Sequence, residues 1–205
     1  MNNILTGKWV MDPANSKVTF SVRHLVSKVD GTFGEFKGEA DVHDDISDST
    51  VYGSVDVTTI TTDNEERDAH LRSPEFFDVE NHPTITFRTN RWHTSEASDE
   101  ITLEGELTIR DVTRPVVFKG DFGTIRPDEN GDSRADLKLV SKIDRTEWGL
   151  TWDSNLDKGG LVLGEEVKIV VDAQAVRTAS KPDHEAVASE PDHADPREEE
   201  PPVFL

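Results

Sequence analysis

Residues 101–109 read Ile-Thr-Leu-Glu-Gly-Glu-Leu-Thr-Ile, an unbroken alternation of apolar or small residues with polar ones. A strand turns successive side chains to opposite faces, so this period of two predicts one dry face (Ile101, Leu103, Gly105, Leu107, Ile109) and one wet face. The same alternation runs outward in both directions. It recurs in Val18, Phe20 and Val22, in Phe36, Gly38, Ala40 and Val42, and in Val51, Gly53, Val55 and Val57. It returns in Ile85 and Phe87, across 116–122, in Ala135, Leu137 and Leu139, and from Val167 through Ile169, Val171 and Ala173 to Ala175. Asn130-Gly131 between two such runs predicts a type I′ hairpin. About eight strands follow, with no strand–helix alternation, and the expected fold is an all-β antiparallel barrel.

Several positions on the dry faces are small: Gly38, Ala40, Gly53, Gly105, Ala135, Ala173 and Ala175. Small inward residues leave room, which favours a hollow barrel over a filled sandwich. The other reading of the glycines is that they mark bends and bulges. A hollow apolar interior in water calls for an apolar ligand.

Two longer excursions interrupt the strands. In the first, residues 60–82, the stretch EERDAHLRS predicts a short helix. Asp63 or Asn64 is its expected cap, Glu65 and Glu66 suit its first turn, and Pro74 ends it. The second, residues 144–163, contains RTEWGLTWDSNLDKGG.

The chain has 205 residues, with 42 Asp and Glu against 22 Lys and Arg, a net charge of −20. Nucleic acid and anionic membranes are poor partners for that charge. Solubility and adaptation to high salt are two readings of it. No cysteine is present, which removes disulfides, thiolate metal sites and cysteine nucleophiles. The N-terminal residues lack a basic region followed by an apolar run, and no segment is apolar for long enough to span a bilayer, so a cytoplasmic protein without stable membrane insertion is expected. Composition changes at Arg177. Residues 178–205 hold eight acids and two bases, a net of −6 that leaves −14 for the rest. That segment has too little apolar surface to offset its ordering entropy and is expected to be a disordered, Pro-rich tail beside a domain of residues 1–177.

Four stretches carry more than periodicity requires: SKVTFSVRHLVSKVDGTFGEFKGEADV (16–42), TDNEERDAHLRSPEFFDVENHPTITF (62–87), LEGELTIRDVTRPVVF (103–118) and DRTEWGLTW (144–152). In these the sequence resembles the YceI-like family from about Trp9 to Ala175. The resemblance implies an eight-stranded lipocalin-like barrel that holds a polyisoprenoid or similar long-chain lipid, often in a homodimer. It implies no established catalytic activity.

Candidate ligand-binding residues follow from the strand faces and the helix. Phe20, Phe87, Leu103, Leu107, Leu137 and Leu139 face inward if the alternation holds, as cavity wall or as packed core. Phe76 and Phe77, at the junction between helix and strand, either line the mouth or pack. Trp148 and Trp152 stand at i, i+4; Trp148 is the expected cavity residue and Trp152 the expected plug. Arg67 and His70 share one helical face at i, i+3, and with Arg145 they are the polar candidates for a head group such as a diphosphate or a quinone ring. Each also has a structural reading, Arg67 in an ion pair and His70 on a backbone carbonyl. His24 reads as a structural hydrogen-bonding residue. No pair of histidines has H-x-x-x-H spacing, and Asp128–Asp132 lacks the carboxylate that a calcium loop requires at its first position. No G-x-S-x-G elbow is present. Neither metal nor cofactor is expected. The function expected is binding, storage or transport of an isoprenoid-like lipid without catalysis. The alternatives are an enzyme on such a lipid with His70 or His24 as general base, and a stress-related protein whose barrel is incidental.

Overall fold

The computed structural model describes residues 5–24, 27–94, 99–127, 132–152 and 163–177. The expected hairpin at Asn130-Gly131 and the tail after Arg177 lie outside the described residues. Twelve strand segments are present: β1 (Gly7–Met11), β2 (Lys17–His24), β3 (Ser27–Phe33), β4 (Phe36–Val42), β5 (Thr50–Asp56), β6 (Ile60–Thr61), β7 (Thr84–Thr94), β8 (Glu100–Ile109), β9 (Val112–Phe122), β10 (Arg126–Pro127), β11 (Ser133–Asp144) and β12 (Leu163–Arg177). The single α-helix among them, α1, spans Glu65–Arg72.

These segments are eight strands, four of them bent. β1 and β2 run end to end along one edge of β12, through Val10↔Val176 and then Val18↔Val171. β4 and β3 run end to end on the far side, through Gly7↔Val42 and then Val18↔Phe33. β5 and β6 continue each other against β4 and β3, and β9 and β10 do so against β11. Counted this way the strands pair in chain order, all antiparallel, and the long β11–β12 ladder from Ser133↔Arg177 to Asp144↔Glu166 closes the ring. A closed eight-stranded ring has no edge to protect, and its interior is wide enough to hold one small ligand.

The bends have a local cause. Asp12 and Asp56 end β1 and β5, and each accepts a hydrogen bond from the backbone N–H two residues on, Ala14 at 3.0 Å and Thr58 at 2.9 Å. Each opens a 3-10 turn, Pro13–Asn15 and Val57–Thr59, after which the strand resumes. Asp45 and Asp144 cap the turns Ile46–Asp48 and Arg145–Trp148 in the same way.

The decisive stretch behaves as its pattern requires. Ile101, Leu103, Leu107 and Ile109 are at most 4% exposed, Gly105 is buried with them, and the polar residues between are half-buried or exposed. Gly105 is the exception to the hollow reading. A side chain there would meet the carbonyl of Arg88 and the ring of Phe87, where β7 carries a bulge between Thr89 and Arg91. It is a bulge partner and not a space-maker. Ala135 is likewise packed into the core.

Candidate functional site

The barrel encloses a cavity of about 580 Å³. Its walls are the inward faces of the strands: Phe20, Phe33, Ile85, Phe87, Leu103, Leu107, Phe118, Leu137, Leu139, Ile169 and Val171 all line it. Aromatic pairs stiffen the wall, Phe20 against Phe33 at 5.5 Å and Phe87 against Phe118 at 5.0 Å between ring centres. Gly38, Ala40, Gly53, Ala173 and Ala175 line it as well, and these five supply the room that the small residues promised. Gly38 and Gly53 face each other across the β4–β5 ladder. A Cβ on Gly38 would strike Met11, whereas one on Gly53 would find only the Lys37 carbonyl at 3.9 Å.

Strand direction puts four connections at one end of the barrel: the one between His24 and Ser27, the α1 excursion, the turn from Ile109 to Val112, and the segment after β11. Of the polar lining residues, Thr62, Asn64, Glu66, Arg67, His70 and His24 belong to this end, while Lys37, Glu39, Tyr52 and Ser54 lie along β4 and β5. α1 starts where the sequence says it should. Asn64 is the cap, accepting the Arg67 N–H at 2.9 Å, with Glu65 and Glu66 in the first turn.

Side chains fasten α1 to β6. Asp68, 5% exposed, accepts hydrogen bonds from the Thr62 N–H at 2.8 Å and from the hydroxyls of Thr62 and Thr61 at 2.5 and 2.9 Å. Burial opposes its ionised form, but the hydrogen bonds from Thr62 and Thr61 and the charge of Arg72 outweigh it. The carboxyl is held below the ordinary aspartate value. Arg72 donates to the carbonyls of Thr58 and Ile60 at 3.0 and 2.9 Å.

Eleven of the twelve candidate residues line the cavity: Phe20, Arg67, His70, Phe76, Phe77, Phe87, Leu103, Leu107, Leu137, Leu139 and Arg145. Trp148 does not. It is 1% exposed, and its Nε1 donates to the Leu107 carbonyl at 3.0 Å, so it plugs the barrel end. Trp152 lines the cavity in its place. The two tryptophans therefore reverse the expected roles. Chain position is the reason: Trp148 is still on the 3-10 turn over the core, Gly149, at φ 73°, ends that turn, Leu150 is again buried, and only Trp152 reaches the mouth.

The polar candidates also sort themselves. Arg67 donates through Nε to the Thr62 hydroxyl at 2.6 Å and through Nη2 to the Thr62 carbonyl at 2.8 Å, and not to a carboxylate. His70 meets the Glu75 carboxylate at 3.2 Å, where a backbone carbonyl was the structural expectation. Its ring also meets that of Trp152 edge-on at 4.5 Å. Arg145 is 3% exposed and donates to four backbone carbonyls, those of Leu150, Trp152, Leu163 and Gly164. That use of its donors is structural.

Residues 9–175 match the model of the YceI-like domain. The chain belongs to the YceI-like family. A UPF0312 protein of Staphylococcus aureus strain USA300 is 32% identical over 171 residues, covering 81% of this chain and 95% of the relative. One from Staphylococcus epidermidis is 31% identical over 172 residues, covering 82% and 96%. Among solved structures, Burkholderia cenocepacia BcnA aligns with a TM-score of 0.65 at 18% identity, over 80% of this chain and 98% of that one. A polyisoprenoid binding domain from Saccharophagus degradans implicated in plant cell wall breakdown aligns with a TM-score of 0.56 at 9% identity, over 83% and 98%. At these identities the two structures establish a shared YceI-like barrel.

Of the lining residues, Trp9, Met11, Phe33, Phe118 and Trp152 were missed as site residues. Phe33 and Phe118 had a signal, the period of two in β3 and β9. Trp9, Met11 and Trp152 had none, because a short strand before a bend and a loop carry no usable period.

Proposed function

We propose that this YceI-like barrel binds and carries a long apolar lipid of isoprenoid type, a polyprenyl chain or a quinone, and that it does so without catalysis. The observation that carries the reading is the cavity itself: about 580 Å³, walled largely by aliphatic and aromatic side chains, with the polar residues of the α1 excursion and His24 at one end. An apolar chain in that tube gains burial along its whole length, and its head group stays at the polar end. The Saccharophagus degradans neighbour, a polyisoprenoid binding domain, agrees with this chemistry.

At that end the head group meets Arg67 and His70. Thr62 holds the Arg67 guanidinium by Nε and Nη2, and Nη1 has no protein partner among the described residues. Arg145 is not proposed for the head group, because its donors serve backbone carbonyls.

Among the described residues, no helix is long and apolar enough to cross a membrane. The proposal places the carrier in the cytoplasm, which cell fractionation tests.

The histidine–carboxylate pair His70–Glu75 favours the enzyme reading. The carboxylate of that pair lies on the rim, its side chain 71% exposed, where water weakens its hold on the imidazole. Native mass spectrometry of protein purified without detergent tests the carrier reading. The expected result is a mass excess that organic extraction removes as one class of intact long-chain apolar molecule. Recovery of the bare chain mass, or of a cleaved lipid that His70→Ala leaves uncleaved, contradicts it.

A further inference from the structure

The two long excursions arise on opposite sides of the barrel. In the ring of eight strands, the connection carrying α1 leaves between the third and fourth, and the connection after β11 leaves between the seventh and eighth. They nevertheless touch. The Trp152 ring stands edge-on against the His70 ring at 4.5 Å, and both side chains line the cavity. His70 is steadied from its own side by Glu75 at 3.2 Å and by the Phe76 ring at 6.3 Å.

Arg145 fixes the other side. Its Nε donates to the Gly164 carbonyl at 2.9 Å and its Nη2 to the Leu163 carbonyl at 3.2 Å. Its Nη1 donates to the carbonyls of Leu150 and Trp152, the latter at 3.1 Å. One buried guanidinium thus ties Leu150 and Trp152 to Leu163 and Gly164, two pairs of residues separated by at least eleven positions in sequence. These bonds fall where the β12–β2 ladder shifts register, between Leu163 and Val167. A buried Arg with this many carbonyl partners has its N–H donors committed to the backbone and fixes its geometry.

We propose that the Trp152–His70 contact is the gate through which the lipid enters and leaves, and that Arg145 is the positioning residue that sets it. The inference rests on the carrier reading above. A chain entering at this end parts one aromatic contact between opposite rims, and the barrel wall stays as it is. Trp152, 37% exposed at the mouth, is a ring that can swing without uncovering the core.

Stopped-flow uptake of the neutral apolar fluorophore N-phenyl-1-naphthylamine tests it. The association rate constant is the informative quantity. Losing a wall contact raises dissociation alone, whereas removing a gate raises association as well. Trp152→Ala is expected to raise the association rate constant roughly five-fold, the size of one aromatic pair. Arg145→Lys is expected to raise it too, and the double variant no further than Trp152→Ala alone. An unchanged association rate constant in Trp152→Ala overturns the gate. Additive effects in the double variant overturn the role of Arg145. If Arg145→Lys does not fold, His70→Ala replaces it for the gate. A wild-type protein that takes up no fluorophore overturns the carrier reading itself.

Discussion

Trp148 and Trp152 stand four residues apart and do opposite things. The first has its ring in the core and its Nε1 on the Leu107 carbonyl; the second lies at the cavity mouth. Trp148→Ala is therefore expected to cost about 3–5 kcal/mol of stability, read from urea unfolding, as for other fully buried aromatic rings. A loss below about 1 kcal/mol is a surface value and contradicts the plug. Gly53 makes the complementary case. Its Cβ position is open except for the Lys37 carbonyl at 3.9 Å, and Gly53 lines the cavity, so a side chain added there is expected to project into the cavity. Gly53→Leu is expected to keep its Tm and to bind N-phenyl-1-naphthylamine at least about ten-fold more weakly, since cavity volume that a ligand needs is lost. Unchanged binding contradicts the cavity as the binding site.

At the scale of elements, α1 is held by polar bonds more than by packing. Asp68 is its buried acidic residue, on Thr61 and Thr62, and Arg72 reaches the carbonyls of Thr58 and Ile60. Asp68→Asn is expected to cost about 1–3 kcal/mol, because an amide cannot accept all the hydrogen bonds that the carboxylate accepts. The pH dependence has a definite sign. The folded-state pKa of Asp68 lies below its unfolded value, so the stability it contributes is complete above that value and is lost as pH falls through the folded one. The stability gap between wild type and Asp68→Asn should hold from about pH 7 to pH 5 and close below about pH 4. A gap that widens on acidification contradicts the assignment.

Much of these elements was legible in the sequence. β8 could be read residue by residue, and the Asn64 cap and the acidic first turn located α1. The bends were not legible as bends. Asp12, Asp45, Asp56 and Asp144 each cap a 3-10 turn at a strand end, yet aspartate has many other uses on so acidic a chain. Gly105 shows the same limit. A glycine that makes room and a glycine that answers a bulge in the neighbouring strand have identical letters, and only the partner strand distinguishes them. For the site, the six strand candidates, Phe20, Phe87, Leu103, Leu107, Leu137 and Leu139, reached the cavity because inward alternation and a lining position are nearly the same property in a hollow barrel. Arg145 and Trp152 depend on contacts between residues far apart in sequence, which no periodicity encodes.

For the whole molecule, Arg177, the last described residue, is tied into the barrel. Its guanidinium lies over the Trp9 ring at 5.1 Å and donates to the Thr6 carbonyl and to the Ser133 hydroxyl. The proposed boundary after Arg177 predicts that a chain ending there keeps the Tm of the full chain within about 2 °C in a thermal melt, as expected when no packed surface is removed. A chain shortened by one more residue should melt lower. The central claim is that the hollow of this YceI-like barrel is a lipid site. The most direct measurement is a crystal structure of the full chain purified without detergent. The account predicts continuous, chain-shaped density running from Arg67 and His70 at the mouth past Phe20 and Phe87 towards Met11 and Ala175. A cavity that holds only ordered water, or one closed by repacked side chains, would contradict it.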